Sequence, residues 1–418
     1  MARILSHGRN FVLGALFTGL SVMAQEATGW NSRLKDGIAA ISSGHYEQAV
    51  QILTALSEES ESFPSADLRR AKVAFSLASA YQYQGRLAVA EPLYLEAKTI
   101  LEAAGPEARH TLGMTLHGLA QLRMDAGRWN EAEELLRAAA QKCGETGGEK
   151  DRCAIAARTH LGELYVLEDR SLEAEPILVG AVTILRESSP ARDDLLADAL
   201  RSLANAYRLE RRYALAKPLL QESLDLSSRL GECHPLVADR LVDLAALYRL
   251  EHDVARGEPL LKKAVRTYEM SHDPHLADAL HELGLPALDE GKYAIAEQDF
   301  ERSLAIYEKT FGPDHVAVAG AEAGLAQAYL GERNYKKADS FIRRALAIGR
   351  ASLGDTHFGL AKLLLVAARV QEQAHCPSEA DLFYRQALAI YRRSLPDDHP
   401  ERTEAEQQYA QFSKSFQK

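Results

Sequence analysis

The sequence predicts an all-α fold, a solenoid of about nine helix–turn–helix units, and three observations carry that reading. The first is the stretch from Leu283 to Gly312, which reads as two amphipathic helices back to back. Its Ala296, Phe300, Leu304 and Tyr307 form one apolar stripe at the helical period, and Gly291 is placed to close the preceding helix in the left-handed conformation. The second is repetition: a leucine, a small residue directly after it, and an alanine thirteen positions beyond the leucine. It occurs as Leu77-Ala78 with Ala90, Leu119-Ala120 with Ala132, Leu161-Gly162 with Ala174 and Leu203-Ala204 with Ala216. It continues as Leu244-Ala245 with Gly257, Leu283-Gly284 with Ala296, Leu325-Ala326 with Ala338 and Ala367-Ala368 with Ala380, and a degenerate first copy has Gly37 and Ala49. The third is spacing, 42 residues from Leu119 to Leu161 and again to Leu203, then 41, 39 and 42 to Leu325. No single unit can bury its apolar stripe alone, so each needs its sequence neighbours.

In chain order, residues 1–24 come first. Arg3, His7 and Arg9 precede an uncharged apolar run from Phe11 to Met23, followed by Ala24 and Gln25-Glu26. That is the layout of a secretory signal peptide, and thirteen apolar residues are too few for a membrane-spanning helix. Export to a periplasmic or secreted location, in a bacterial envelope, is the expectation. No later stretch approaches a transmembrane run. The array then occupies residues 25–399, and a helix from about Pro400 to Phe416, polar on most faces, reads as a C-terminal cap within residues 400–418.

Within each unit, small residues at two fixed places let helix A and helix B approach closely. A tyrosine four positions after the leucine (Tyr81, Tyr165, Tyr207, Tyr248, Tyr329) fills the space beside that crossing. Helix B carries an acid and often a proline, as in Glu91-Pro92, Glu175-Pro176 and Glu258-Pro259. The expectation puts them in its first turn, where proline costs no hydrogen bond and the acid meets the positive helix end. The array is least regular between His252 and Pro286: Gly257 replaces alanine, the spacing shortens, and Pro286 falls inside helix A. A bend or hinge is expected there.

These residues carry a resemblance. The pattern L-[GA]-x2-Y followed by A-x3-[FYL] resembles the tetratricopeptide repeat. The longer period, with GECHPLVA at 231–238 and GPDHVAVA at 312–319, resembles its kinesin-light-chain type. The resemblance covers about residues 33–418. It implies a right-handed α-solenoid, and a scaffold that binds a protein or peptide partner in the concave groove lined by helix A. The side chains two before, two after and five after the leucine should project into that groove, which marks Arg201, Asn205, Arg208, Arg249 and His281 as candidate partner-binding residues. The family's carboxylate clamp is not matched, because Asp243, Asp278 and Glu282 stand where it needs asparagine and basic residues. The alternative is a structural or assembly scaffold acting through its convex face and ends.

Other chemistries find little support. The net charge is −10 with no Lys/Arg-rich run, which gives no electrostatic footprint for nucleic acid. GxSxG, HExxH, GxxxxGK[ST] and a strand-borne GxGxxG are missing, so no catalytic residue, cofactor or enzyme activity is assigned. Histidines recur near the start of helix A (His234, His275, His315, His357, His399). Lying in different repeats, they read as loop terminators and helix starters rather than metal ligands. The local cluster of His272, Asp273 and His275 is a weak metal signal, and no metal ligand is assigned. Of the four cysteines, Cys143 and Cys153 flank a turn that can fold back and close a disulfide, with two free thiols as the alternative. Cys233 and Cys376 lie several repeats apart and are not expected to meet.

Overall fold

The turn inside each repeat fixes where its two helices end and begin. In the computed structural model, which describes residues 28–188, 193–271, 273–397 and 399–416, nineteen α-helices follow one another with no strand among the described residues. They are α1 (Thr28–Ser42), α2 (Tyr46–Ser60), α3 (Leu68–Tyr83), α4 (Leu87–Ala103), α5 (Arg109–Asp125), α6 (Trp129–Gly147), α7 (Arg152–Leu167), α8 (Ser171–Arg186), α9 (Asp193–Leu209) and α10 (Tyr213–Ser228). Then come α11 (Pro235–Leu250), α12 (Val254–Ser271), α13 (Leu276–Asp289), α14 (Tyr293–Phe311), α15 (Val316–Gly331), α16 (Tyr335–Leu353), α17 (Phe358–Gln373), α18 (Pro377–Ser394) and α19 (Pro400–Phe416). Odd-numbered helices from α1 to α17 are helix A, even-numbered ones helix B, and α19 follows the ninth pair. The signal-peptide segment 1–24 and His272 lie outside the described residues.

Five residues before each repeat's small residue, the backbone turns left-handed: Gly44, Gly85, Gly127, Asp169, Arg211, His252, Gly291, Arg333 and His375. The next amide returns to the end of helix A in the six-to-one pattern that closes a helix, as in Arg86 N to Tyr81 O at 2.9 Å and Asn334 N to Tyr329 O at 2.8 Å. Glycine takes this conformation without strain, and the five other residues do so at a cost of about 1–2 kcal/mol each. Helix B therefore starts earlier than the sequence suggests. Pro92, Pro176, Pro218 and Pro259 each stand sixth in their helices, not in the first turn, so each removes one interior hydrogen bond. The start was hidden because its flanking residues are Arg86, Arg128 and Arg212, which make no side-chain cap. The Arg86 and Arg212 guanidiniums instead lie over the Tyr81 and Tyr207 rings at 4.5 and 4.3 Å.

Helix A is the more enclosed member of the pair α11 and α12. Twelve of the sixteen residues of α11 are buried, against six of eighteen in α12. Ala90, Ala132, Ala174, Ala216, Ala296, Ala338 and Ala380 are wholly buried, and so is the large residue four positions on, from Tyr94 to Leu136, Phe300 and Ile342. A large residue needs a matching gap in helix A. A Cβ on Gly284 or Gly324 would come within 2.8 Å of the Phe300 ring, and one on Gly162 within 2.5 Å of Leu178. Removing a ring so enclosed costs about 3–5 kcal/mol.

Adjacent repeats are joined by a bond in constant register. The residue after the repeat alanine accepts from the residue four after the next repeat's leucine position. Glu133 takes the Tyr165 hydroxyl at 2.9 Å, Glu297 the Tyr329 hydroxyl, Asp339 the Gln371 amide, and Glu91 the Arg123 guanidinium. Where the acid is replaced by Lys217, its ammonium lies 4.8 Å from the centre of the Tyr248 ring. Helix α19 repeats the pattern: Tyr409 donates to Asp381 at 2.8 Å, while Ala405 and Phe412 are buried. Of the recurrent histidines, His234, His315 and His357 cap α11, α15 and α17, each accepting from the amide two residues on at 3.0–3.2 Å. His275 instead pairs with Asp273 at 2.7 Å.

The chain divides into two compact units. One takes the described residues up to Tyr165 together with Leu172–Leu203, and the other Ala204 onward with the turn Val166–Ser171. That division falls before the segment where the sequence places a bend, and α13 runs as one fourteen-residue helix through Pro286. Among the described residues, no helix is long and apolar enough to cross a membrane.

Two measurements check this account. Replacing exposed, left-handed Arg333 by glycine is expected to raise unfolding stability by about 1 kcal/mol in urea titration, with no gain if the turn is not left-handed. The second concerns Glu322 of α15, 0% exposed, whose pKa burial drives from 4.5 up to about 7, opposed by Arg344 at 3.0 Å. The folded state keeps a proton that the unfolded chain releases. This contribution is thus complete below about pH 4.5 and lost as pH rises through about 7. The urea midpoint should fall across that interval, and Glu322→Gln should flatten the fall.

Candidate protein-interaction surface

Helix A offers one face to a partner, and five side chains on it are the candidates. On α9, Arg201, Asn205 and Arg208 follow at steps of four and three, which aligns them along one side of the helix. Arg249 lies at the end of α11, and His281 in the middle of α13.

The structure engages all five with groups of their own chain. In the first unit Arg201, 2% exposed, pairs with Glu163 of α7, so it joins two neighbouring A helices. Deleting one partner of such a buried pair costs about 3–5 kcal/mol, which makes Arg201 a structural cation first. In the second unit Asn205, 8% exposed, donates to Asp243 of α11 at 3.4 Å and accepts from Arg208 Nε at 3.1 Å. Arg249 lies 3.6 Å from Asp289 on a half-exposed pair. His281, 9% exposed, packs its ring 5.2 Å from that of Phe300, and burial lowers its pKa to about 4. It is therefore neutral at pH 7 and can contribute a hydrogen bond, not a charge. Among the five, Arg208 and Arg249 keep solvent-facing surface. Asn205 and Arg208 touch, and Arg249 is near enough to His281 to oppose its protonation.

Several polar atoms on this face of the second unit have no partner within the chain: Asp239 Oδ2, Arg249 Nε and His281 Nδ1. Asp239 was not singled out in the sequence. It lies five before Leu244, a position that also holds Asp278 in the next repeat. The two acids accept from Tyr268 and Tyr307 at the far ends of their helix B partners. That coincidence of register across two repeats is the signal by which it can be found.

The joined cysteines lie in the first unit. Cys143 and Cys153 form a disulfide, with sulfurs 2.10 Å and Cα atoms 5.8 Å apart, and Cys143 is wholly buried. Cys233 and Cys376 are both free and exposed.

Comparison with known proteins agrees with this architecture. The model of the tetratricopeptide repeat matches residues 111–187, 195–274, 275–348 and 318–393, together more than half of the chain. No curated protein matches the sequence. Among solved structures, a Rap protein complexed with Competence and Sporulation Factor is 14% identical with a TM-score of 0.64, covering 88% of this chain and 99% of its own. Aspartyl phosphate phosphatase F from Bacillus subtilis is 13% identical with a TM-score of 0.52, covering 89% and 96%. A kinesin-light-chain-like repeat protein of Podosopora anserina is 21% identical with a TM-score of 0.38, covering 48% and 96%. The fold is that of an α-solenoid, its repeats are those of protein-interaction scaffolds, and the chain belongs to the tetratricopeptide repeat family.

Proposed function

We propose that this protein is an exported, non-enzymatic adaptor that holds an extended or helical segment of a partner protein against the helix A face of its second unit. The observation that carries this is that Arg208 of α9 and Arg249 of α11 keep solvent-facing surface on helix A, where the other candidates are enclosed. A partner segment brings carboxylates and backbone carbonyls that such guanidiniums can bond. Arg249 lies 3.6 Å from Asp289, and Asp243 is bonded by Asn205 on the same face, so the face suits a segment of mixed charge better than an acidic tail. The Rap solenoid was solved with a factor bound, and its likeness to this chain is one of fold. The same limit applies to the phosphatase, whose activity does not transfer at 13% identity.

A second reading, a scaffold acting through its convex face, is favoured by apolar side chains exposed on helix B, among them Leu215, Ile295 and Leu382. The two are separated by crosslinking pull-downs from the native cell, in which the bound proteins are identified. Arg208→Glu with Arg249→Glu should lose about tenfold or more of the specific partner, on the scale of one charge-assisted bond. Arg201 is left intact because its buried pair supports the fold. Undiminished capture by that variant, with loss on replacing Leu215 and Ile295 by lysine, would establish the convex reading instead. Export is tested separately: residues 1–30 fused to a reporter active only outside the cytoplasm should give signal, and a silent fusion removes the localisation.

A further inference from the structure

The turn that carries the two joined cysteines also collects a histidine and an aspartate from elsewhere in the chain. His110 lies in the first turn of α5, 33 residues before Cys143, and Asp151 lies in the loop just ahead of α7. His110 Nε2, Cys143 Sγ and an Asp151 carboxylate oxygen lie within 4.8 Å of one another, a grouping that is single of its kind among the described residues. Cys153, in the first turn of α7, stands outside that grouping but is bonded to the Cys143 sulfur and supplies a second thiol when the bond is reduced.

We propose that these four side chains form a zinc site when the two cysteines are reduced, so that one pocket is either a disulfide or a metal centre with two thiolates, one imidazole and one carboxylate. The donor set suits the ion: these are the ligands from which tetrahedral zinc sites are made. The spacing suits it too. His110 Nε2 lies 3.2 Å from Asp151 Oδ2. Two ligand atoms at ordinary zinc distances on a tetrahedron lie about 3.4 Å apart. Asp151 keeps its helix-capping bond through its other oxygen, Oδ1, to the Ala154 amide at 3.0 Å, so metal binding need not unseat α7.

Two glycines clear the pocket. A Cβ on Gly113 would meet Cys143 Sγ at 2.4 Å, and one on Gly147 would meet Asp151 Oδ2 at 2.3 Å. Both cysteines are buried, whereas the His110 and Asp151 side chains are 27% and 15% exposed and mark the side from which an ion enters. The bland account, a disulfide beside a capping aspartate and its histidine, explains the bonds present but not why both glycines open onto ligand atoms.

The redox step balances with a dithiol as reductant. It gives two electrons and becomes a disulfide, while the Cys143–Cys153 bond breaks and each sulfur takes a proton. Zinc then displaces both thiol protons and meets two thiolates, one carboxylate and neutral imidazole nitrogen. Oxidation of the thiolates by a disulfide of the same class reverses the sequence and expels the ion.

The test uses the full chain with Cys233→Ser and Cys376→Ser, so that the exposed thiols cannot bind metal. After anaerobic reduction and removal of the dithiol, cobalt(II) chloride should give the thiolate-to-cobalt and tetrahedral ligand-field bands, saturating at one equivalent and bleached by zinc. The oxidised chain should give none. His110→Ala should weaken cobalt binding by about 10- to 100-fold or more. Asp151→Asn, which retains a capping side chain, should also weaken it, and circular dichroism reports whether each variant is folded. No thiolate-to-cobalt band in the reduced chain overturns the proposal. So does an equal affinity in folded His110→Ala and Asp151→Asn, which would leave a pair of thiols and nothing more.

Discussion

Two helix backbones come together in each repeat only because a residue without bulk stands on either side of the crossing, and the remaining features of the array follow from that approach. With Ala296 wholly buried and Gly284 facing the Phe300 ring, the pair is close enough for one large side chain to fill the space left. The closeness in turn demands a short connection, and the left-handed residue between the helices supplies it. Five of the nine repeats accept strain there, which indicates that the geometry outweighs the local preference of the residue.

Polar groups do a different task. The bonds from Tyr165 to Glu133 and from Tyr329 to Glu297 lie between repeats, as does the buried pair of Arg201 and Glu163. Apolar contact between alanine-rich surfaces is tolerant of sliding, whereas a hydrogen bond to a single carboxylate is not. These bonds therefore fix the register of one repeat on the next. Of these, the pair of Arg201 and Glu163 occupies positions at which a partner would be expected to bind, so Arg201 is already engaged.

Much of the fold was legible because its signals are local or strictly periodic. The spacing of small residue and alanine located the repeats, and A-x3-[FYL] found the large buried residue of helix B except at Ile342. The helix B starts were missed because Arg86, Arg128 and Arg212 are poor capping residues in sequence and the turn conformation does not depend on glycine. The tyrosine-to-acid bonds were missed for another reason. Each half was noticed, Tyr165 as a space filler and helix B acids as dipole partners, but nothing in a single sequence says that residues 32 apart meet. His110 and Cys143 are the same case at 33 residues: CX9C alone has no zinc spacing, and the missing ligands come from a neighbouring helix and a loop.

The last helix shows what kind of object the array is. Tyr409 reaches Asp381 just as Tyr165 reaches Glu133, so α19 docks on the ninth repeat with the bond that a tenth would use. The end of the chain is thus written in the same grammar as its internal joints. Asp339 and Glu297 stand at equivalent places one and two repeats earlier, ready to receive the same tyrosine. A shortened array in which α19 followed the eighth repeat would offer Tyr409 the same kind of acceptor at Asp339.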